Sequence, residues 1–569
     1  MTTASAARMS SARSLLWRAG VVRRQDALLA CALYSGHQFG EAMVPVVIGA
    51  AISGAVAGGS LLSLVWWLAV LAADFVLLSL SYRFGARASM RAKQHAAHQV
   101  RLWTARRVLD PAGGADAAPG ELLTRASSDA DRIGALVGVV ASTIAAAVVL
   151  IVATVLLLRF SVPLGIVILV GTVLLLLVTG RLSRRLAARS HIEQHAAADA
   201  AVLAADTVRG LRVLTGLGAE NAASDRYGQA SRAGVAASVR AIGTQSAIDG
   251  VSVLLAGGYL AVIAGLGGWL ALSGSLGLGE LVSSLGLAQF LIGPLRTVSG
   301  APASYARARA SAERVLELLN TPAAVSAKPE SAGRERAPRA SAPTIEFRGI
   351  PVADGSTLSF TAAAGQLTGI AVADAASAAL IVRLLAREQD AASGRILIDG
   401  TDAREFELPA LRSLVLVSPH DAALLDGTVG ENIALVARPD RIPEATRAAF
   451  ADQLITALPS GQNTEIGDAG RKLSGGQRQR VALARVLAAD APALVLHDPT
   501  TAVDAATEDR IATQLPPLRT GRTTIVVTTA PAFLARCDRV VFVRDGAAKA
   551  SDHTALLSGD DDYRMLVTR

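Results

Sequence analysis

Residues 473–480 (LSGGQRQR) place a serine and two glycines before a run of helix-forming residues. A helix N-terminus presents unpaired backbone amides and the positive end of the helix dipole, and both favour a bound phosphate. Serine caps such a terminus, and glycine lets a ligand or another segment approach the backbone closely. An ordinary turn before a helix uses the same residue types. The complete run, shortly before a hydrophobic strand, nevertheless makes a phosphate-binding terminus the preferred interpretation.

A second phosphate-binding element is expected after the strand-like residues 367–371, but its characteristic residues are missing. A glycine-rich loop surrounds phosphates with backbone amides, while a lysine neutralises them and a Ser or Thr hydroxyl binds Mg²⁺. Residues 372–380 contain neither glycine nor lysine. Asp374 would add a negative charge close to a triphosphate and repel it. A working phosphate loop is therefore not predicted here.

These motifs make the chain resemble an ATP-binding cassette (ABC) half-transporter of the exporter fold, in which a membrane domain precedes one cassette. The resemblance covers nearly the whole chain. In the cassette it is carried by residues 394–400, 427–429, 431–433 and 473–480. In the membrane part it is carried by residues 120–125 with Asp129 and Asp131, and by residues 210–213 with 218–220.

The resemblance also implies where a working cassette carries its catalytic residues, and this chain departs from the pattern at each place. A neutral imidazole is a poor ligand for a hard cation such as Mg²⁺, and an aspartate is one methylene shorter than the glutamate that orients water. In the phosphate loop, Ala378 stands where the family has the phosphate-binding lysine, and Ala379 where it has the Mg²⁺-binding hydroxyl. His497 and Asp498 replace the Walker B aspartate and glutamate. His420 replaces the glutamine of the glutamine loop, and Thr529 replaces the switch histidine.

The adenine-stacking tyrosine of the family is missing as well. Between residues 344 and 364 the aromatic residues are Phe347 and Phe360. Together these losses indicate that the cassette does not bind and hydrolyse ATP on its own face. We interpret His420 and His497 as replacements under relaxed constraint, and no metal site is predicted.

Another group of family residues is retained. In this family two cassettes close head to tail, so that each ATP lies between the phosphate loop of one and the signature of the other. The retained residues therefore serve a partner's nucleotide, and ATP with Mg²⁺ would be held mainly by the partner subunit. They are Ser474, Gly475, Gly476 and Gln477 of the signature, and Asp504 in a segment that resembles the D-loop.

Composition supports a membrane protein with a soluble part. The 569 residues are 51% hydrophobic and 18% charged, and the apolar residues concentrate between about 27 and 302. The net charge of +8 does not indicate nucleic acid, because arginines cluster beside apolar runs and no basic patch interleaves with aromatics. Two cysteines, Cys31 and Cys537, lie in different predicted domains, which excludes a disulfide framework.

Apolar runs of membrane-crossing length predict about six spans. We place them near residues 27–57, 61–82, 133–158, 162–182, 243–272 and 279–303. The loops after the second and fourth spans are long and rich in arginine, so the positive-inside rule places them and the arginine-rich residues 1–24 in the cytoplasm. Helix-forming residues without proline at 90–108 and 182–213 predict helices that continue past the bilayer. The chain is expected in the cell membrane as a multi-pass protein.

The fold class follows from these patterns. It is multidomain, with an all-α transmembrane domain and long cytoplasmic helix extensions, followed by an α/β P-loop-type nucleotide-binding domain in the cytoplasm. Strand-like runs alternate with helical segments and predict a largely parallel sheet. Besides 367–371, these runs are residues 344–347, 394–398, 414–417, 493–496, 523–528 and 539–543. The expected domains are a cytoplasmic lead-in at 1–24, the transmembrane domain at 25–320, a linker at 321–343 and a degenerate cassette at 344–569.

The leading hypothesis is a degenerate subunit of a heterodimeric, ATP-driven exporter-fold transporter. Its partners are then a complementary half-transporter with intact Walker A and B, the lipid bilayer, and a small-molecule, peptide or lipid substrate, without nucleic acid. As an enzyme it acts only in that complex, and the isolated chain is expected to be inactive. The alternatives are a non-transporting regulatory or scaffold pseudo-ATPase, and half of a siderophore-type importer.

Overall fold

The computed structural model of the chain describes residues 10–56, 61–115, 117–326, 342–351, 357–421, 423–544 and 547–568, and it leaves undescribed the side chains at 55, 56, 179, 182–198, 241, 244, 245, 248, 249 and 252. The chain divides into two compact units. The helical unit comprises Met1–Arg107 and Ala117–Asn320, and the cassette unit comprises Val108–Asp116 and Thr321–Arg569. Most of the predicted linker, residues 327–341, lies outside the described residues.

Long helices form the helical unit. The predicted spans lie in α2, α3, α5, α6, α8 and α9, and the first span continues from α2 into a π-helical turn at Ile52–Val56. Helices α3 and α6 each have 48 residues. A bilayer needs only about 20 residues, so the predicted continuation of α3 over 90–108 is confirmed. The continuous helix predicted over 182–213 is interrupted, because α6 ends at Arg209 and a separate helix begins at Leu211. The helices are α1 (Ala12–Val21), α2 (Arg24–Ala51), α3 (Leu61–Val108), α4 (Pro119–Thr124), α5 (Ala130–Phe160), α6 (Val162–Arg209), α7 (Leu211–Leu217), α8 (Glu220–Leu272) and α9 (Leu278–Asn320).

The surface of this unit is suited to lipid. Among the described residues, four helical segments are long and apolar enough to cross a membrane, namely Leu61–Val108, Pro119–Phe160, Val253–Leu272 and Leu278–Asn320. A shorter apolar helical stretch covers Val162–Val178. In the most apolar 18-residue stretch of α3, 0% of the residues are buried within the protein. An apolar surface of that size is stable only out of water, so the chain is a membrane protein.

Glycines allow the helices to approach closely. A Cβ atom on Gly134 of α5 would lie 2.6 Å from the carbonyl oxygen of Lys93 on α3. A Cβ on Gly49 of α2 would lie 2.2 Å from the carbonyl oxygen of Gly279 on α9. No side chain fits at such distances, so these helix pairs depend on glycine at both contacts.

The segment expected as a lead-in contains a helix that packs into the helical unit. Leu15 of α1 is 0% exposed and belongs to a cluster with Val100 of α3, Ile133 of α5 and Val315 of α9. Ser11 caps the helix by accepting from the backbone N–H of Ser14 at 3.3 Å. Residues 12–21 are therefore part of the packed helical unit.

The cassette unit alternates strands and helices as the sequence predicts. The strands are β1 (Ile345–Pro351), β2 (Thr357–Ala362), β3 (Leu367–Val372), β4 (Arg395–Ile398), β5 (Thr401–Asp402), β6 (Val415–Ser418), β7 (Ala493–His497), β8 (Thr523–Val527), β9 (Arg539–Arg544) and β10 (Ala547–Ser551). The helices are α10 (Ala375–Leu385), α11 (Leu408–Leu414), α12 (Val429–Ala434), α13 (Ile442–Ala448), α14 (Ala451–Ala457), α15 (Gly475–Ala488), α16 (Ala505–Leu518), α17 (Pro531–Leu534), α18 (His553–Gly559) and α19 (Asp561–Val567).

Two sheets organise this unit. The larger has the order β10-β9-β3-β8-β7-β6, parallel except for the β10–β9 pair. The smaller has the order β2-β1-β4-β5 and is antiparallel. Every residue of β3 and β8 is buried, as expected for central parallel strands covered on both faces. The carboxyl ends of β3, β7 and β8 therefore meet at one edge of the sheet.

A short segment from the loop between α3 and α4 belongs to the cassette unit. The carbonyl oxygen of Ala112 accepts from the backbone N–H groups of Ala324 at 3.0 Å and Val325 at 3.3 Å. Ala112, Val325 and Leu408 form a small buried apolar cluster. This segment is therefore distant in sequence from the rest of the cassette unit, which begins at Thr321.

Candidate functional site

The segment between β3 and α10 forms no phosphate loop. Only Ala373 and Asp374 separate the strand from the helix, which begins at Ala375. No residue from 372 to 380 has a positive φ angle. A glycine-rich loop relies on backbone conformations that side chains disfavour. Alanine strongly favours helix, so the helix begins where a loop would otherwise run.

The N-terminus of α10 is occupied by the carboxylate of Asp374. One carboxylate oxygen accepts from the backbone N–H of Ala376 at 3.2 Å, and the other accepts from the backbone N–H and the hydroxyl of Ser377, both at 2.8 Å. The Ser377 hydroxyl, and then the two backbone N–H groups, lower the pKa of Asp374 below its usual range. An anion already fills the place of a bound phosphate, so these residues do not fit a triphosphate.

The position expected for the phosphate-binding lysine is buried, and the one expected for the Mg²⁺-binding hydroxyl is partly buried. Ala378 is 8% exposed and packs in the cassette core with Ile381 and Val382. Ala379 is half-buried on the same helix. A lysine at position 378 would begin its side chain inside an apolar cluster.

We expect Ala378→Lys to destabilise the chain without creating ATP binding. Forcing a long charged side chain into this core costs about 1–3 kcal/mol, even if the ammonium group reaches solvent. Thermal unfolding and an ATP titration of the purified full chain measure both effects. Ala379→Lys is the matched control and should lower the melting temperature less. Tight ATP binding by the Ala378→Lys chain would show that residues 372–380 can still form a phosphate-binding site.

The structure brings His420, His497 and Asp498 together at the carboxyl ends of β6 and β7. The two imidazole centroids are 5.7 Å apart, and His497 Nε2 lies 3.8 Å from an Asp498 carboxylate oxygen. Burial lowers the pKa of His497, His420 adds to this shift and Asp498 opposes it. A neutral imidazole is a poor ligand for a hard cation, so His497 does not suit the place of a Mg²⁺-binding carboxylate. Among the described residues, no group of three His, Cys, Asp or Glu side chains is arranged to hold a metal ion.

The structure places Thr529 at the surface and the two phenylalanines in the core. Thr529 is exposed just after β8. Phe347 of β1 and Phe360 of β2 are cross-strand neighbours whose rings stack at 4.5 Å, and they are 1% and 8% exposed. Both rings belong to the core of the cassette unit. Neither presents a free face on which an adenine ring could stack.

The N-terminus of α15, by contrast, remains accessible. Ser474 and Gln477 form a capping box, in which Gln477 N–H donates to the Ser474 hydroxyl oxygen at 3.3 Å and Ser474 N–H donates to the Gln477 amide oxygen at 2.8 Å. Ser474 is exposed, and Gly475 and Gly476 are half-buried. The serine hydroxyl hydrogen remains available to a ligand.

The signature glycines also allow close approach of the segment before α16. A Cβ on Gly476 would lie 2.6 Å from the carbonyl oxygen of Ala502, whereas a Cβ on Gly475 would lie 3.1 Å from the Ala502 methyl group. Gln479 joins the two segments, donating to the Thr501 hydroxyl at 2.8 Å and accepting from Ala502 N–H at 2.8 Å. The sequence analysis did not predict that Gln479 and Thr501 join these two segments. The signal that could have indicated it is that Gln479 lies in the signature run and Thr501 in the D-loop-like segment.

Asp504 is the N-cap of α16. Its carboxylate accepts from the backbone N–H of Thr507 at 2.9 Å, and hydrogen bonds from Thr507 lower its pKa. A cavity of ≈ 390 Å³ is lined by His420, Gly475 and Thr501 among others. Of the residues singled out from the sequence at 474–477 and 504, Gly475 lines this cavity, together with Thr501 and Ala502 from the segment before α16.

Comparisons with known proteins agree with this architecture. Residues 28–295 match the family described as ABC transporter transmembrane region, and residues 356–501 match the ABC transporter family of cassettes. The solved structure of a bacterial Atm1-family ABC exporter with ATP bound superposes with a TM-score of 0.74, covering 96% of this chain and 98% of that chain at 24% identity. At this identity the likeness shows the fold.

Three relatives are similar in sequence. A multidrug efflux ATP-binding/permease protein of Mycobacterium tuberculosis is 34% identical over 75% of this chain, and the match spans only 36% of that protein. The mycobactin import ATP-binding/permease protein IrtB of Mycolicibacterium thermoresistibile is 31% identical over 74% of this chain and 73% of that protein. An ATP-dependent lipid A-core flippase of Burkholderia pseudomallei is 29% identical over 68% of this chain and 66% of that protein.

Proposed function

The chain belongs to the ABC transporter family, and from that premise we propose that it is the catalytically degenerate half of a heterodimeric exporter-fold transporter. Its signature face completes an ATP site whose phosphate loop, Walker B residues and switch histidine belong to a different subunit. ATP and Mg²⁺ are held mainly by that subunit. The transported substrate is a small molecule, peptide or lipid.

One contrast between two helix N-termini carries this proposal. At α10 the Asp374 carboxylate takes the amides that would bind phosphate. At α15 the exposed Ser474 leaves a capped but accessible terminus, suited to the γ-phosphate of a nucleotide held elsewhere. Two copies of this chain facing each other would carry the same blocked α10 terminus at both composite sites. The partner must therefore be a different chain.

We expect the purified full chain, without its partner, to hydrolyse ATP no faster than background, because it has no intact site in cis. Phosphate release from the chain in lipid nanodiscs measures this. The control is the same chain isolated with its bound partner from native membranes, which should hydrolyse ATP. Photolabelling of that complex with 8-azido-ATP should mark the partner more strongly than this chain. Robust hydrolysis by the chain alone would contradict the proposal.

An importer half is the second candidate function. The mycobactin import protein resembles the chain over about the same share of both proteins, whereas the multidrug efflux protein is named for the opposite direction. Both candidates use the same composite ATP site. ATP-dependent movement of substrate in inside-out vesicles that hold the complex separates them, since accumulation inside the vesicles indicates export.

A further inference from the structure

A groove of ≈ 850 Å³ runs along one face of α3, directly after the predicted span at 61–82. The described residues that line it all belong to α3, between Phe84 and Arg101. The groove lies in the helical unit.

The packing of α3 explains why this face is open. The opposite face carries small buried residues, including Gly85, Ala88, Ala92 and Ala96, through which α3 packs in the helical unit. Residues three and four apart lie on one side of a helix. The larger side chains at 84, 87, 91, 98 and 101 therefore line the groove together.

Positive charge predominates among the described residues that line the groove. Three arginines and two histidines line it, and none of its described lining residues is acidic. Arg91 Nε lies 3.7 Å from a carboxylate oxygen of Asp26, and Arg101 Nη2 lies 2.7 Å from one of Asp131. Both of these arginines therefore already have a counter-charge.

Arg87 differs from the other two arginines. Its guanidinium carbon lies 5.7 Å from the centroid of the Phe84 ring, which holds the cation by a cation–π contact. Among the described residues, no carboxylate lies within ion-pair distance of Arg87. It is therefore a positioned cation with its hydrogen-bond donors available.

Apolar side chains lie beside this cation. Phe84 is 48% exposed and Met90 is 52% exposed, and both line the groove. An aromatic ring and a flexible thioether are well suited to contact an alkyl chain or a ring system. The groove thus offers an apolar surface next to a guanidinium, at the end of a predicted membrane span.

We propose that this groove binds an amphipathic anion, a molecule with a phosphate, sulfonate or carboxylate next to an apolar chain or ring. Arg87 donates to the anionic group, and Phe84 and Met90 contact the apolar part. Arginine suits this role because its planar donors match the oxygens of such anions. The binding chemistry stands independently of the ATP site. Only the identification of the bound molecule as transport substrate rests on the proposed function.

The test uses the full chain in phosphatidylcholine nanodiscs and three fluorescent probes of equal length, a dodecyl phosphate, a dodecanol and a dodecylammonium. The wild-type chain should bind the phosphate probe most tightly. Arg87→Gln should weaken binding of the phosphate probe about tenfold or more, because a charge-assisted hydrogen bond is lost. Binding of the dodecanol probe should stay within about twofold, since its contacts are apolar. Phe84→Ala should weaken binding of both the phosphate probe and the dodecanol probe.

Arg83→Gln is the matched control, because Arg83 is an exposed arginine on the same helix that does not line the groove. It should leave all three affinities unchanged. Equal affinities of the wild-type chain for the three probes would overturn the proposal. Equal losses from Arg83→Gln and Arg87→Gln would overturn it as well.

A competition experiment distinguishes the two sources of such an anion. If phosphatidylglycerol in the nanodisc weakens probe binding to the wild-type chain but not to the Arg87→Gln chain, the occupant is the headgroup of a bilayer lipid. If phosphatidylglycerol does not compete, the occupant is an amphipathic anion from solution. Both results support the anion site. None of these measurements requires ATP or the partner, so a failure here leaves the proposed function untouched.

Discussion

Ser474→Arg is expected to abolish ATP hydrolysis by the complex of this chain with its partner. The substitution places a bulky cation at the exposed N-terminus of α15, where the proposal puts the partner's γ-phosphate. It also removes the only side-chain hydroxyl of the signature. Loss of one positioned donor to developing charge typically costs about 10²–10³-fold in rate, and steric intrusion adds to that loss. Phosphate release from the purified complex is the measurement.

Two further variants separate this effect from a loss of folding. Ser474→Ala removes the cap to the same extent and costs about 1 kcal/mol of stability, but it leaves space for the phosphate and should retain more activity. Ser558→Arg introduces the same charge at an exposed position of α18, distant in sequence from Ser474. It should leave the ATPase rate of the complex unchanged. Full activity of the Ser474→Arg complex would disprove the role of the signature in the partner's site.

Gly476→Ala is expected to uncouple the signature helix from the segment before α16. The new methyl group would lie 2.6 Å from the carbonyl oxygen of Ala502, and a backbone atom cannot yield as a flexible side chain does. The strain would break the hydrogen bonds of Gln479 to Thr501 and Ala502. We expect a loss of about 1–3 kcal/mol in unfolding free energy and a fall of about tenfold or more in the ATPase rate of the complex.

Gly475→Ala is the matched control for this prediction. Its methyl group would meet only the Ala502 methyl at 3.1 Å, which a small shift relieves. The chain should therefore unfold at nearly the wild-type temperature. If the two substitutions lower stability equally, the close approach at Gly476 does not control the geometry of this face.

The amino-acid sequence predicted the fold well where its signals are local. Apolar runs marked the membrane helices, and the hydrophobic strands β3, β7 and β8 stand out because central parallel strands are apolar throughout. Strands β5 and β10 were missed because they are short or rich in alanine and charge. Strand β2 was missed although it alternates exposed and buried residues, which is a detectable pattern.

The candidate site was predictable in its residue types and not in its contacts. Sequence reasoning identified Asp374 only as a repulsive charge, although an aspartate before Ala-Ala-Ser is also a local signal for a helix cap. It did not reveal that the helix begins at Ala375 or that Ala378 faces the core. The approach of Gly476 to Ala502 joins residues distant in sequence, and only the three-dimensional packing of α15 against the following loop creates it.

The short segment at 108–116 bears on how the protein can be dissected. A cassette fragment that starts at Thr321 would lack Ala112, whose carbonyl oxygen fixes the amides of Ala324 and Val325. Val325 and Leu408 would then lose an apolar neighbour and face solvent. The truncated cassette would therefore lack these hydrogen bonds and apolar contacts near its N-terminus. A nonapeptide spanning those residues, added in trans, should raise its melting temperature.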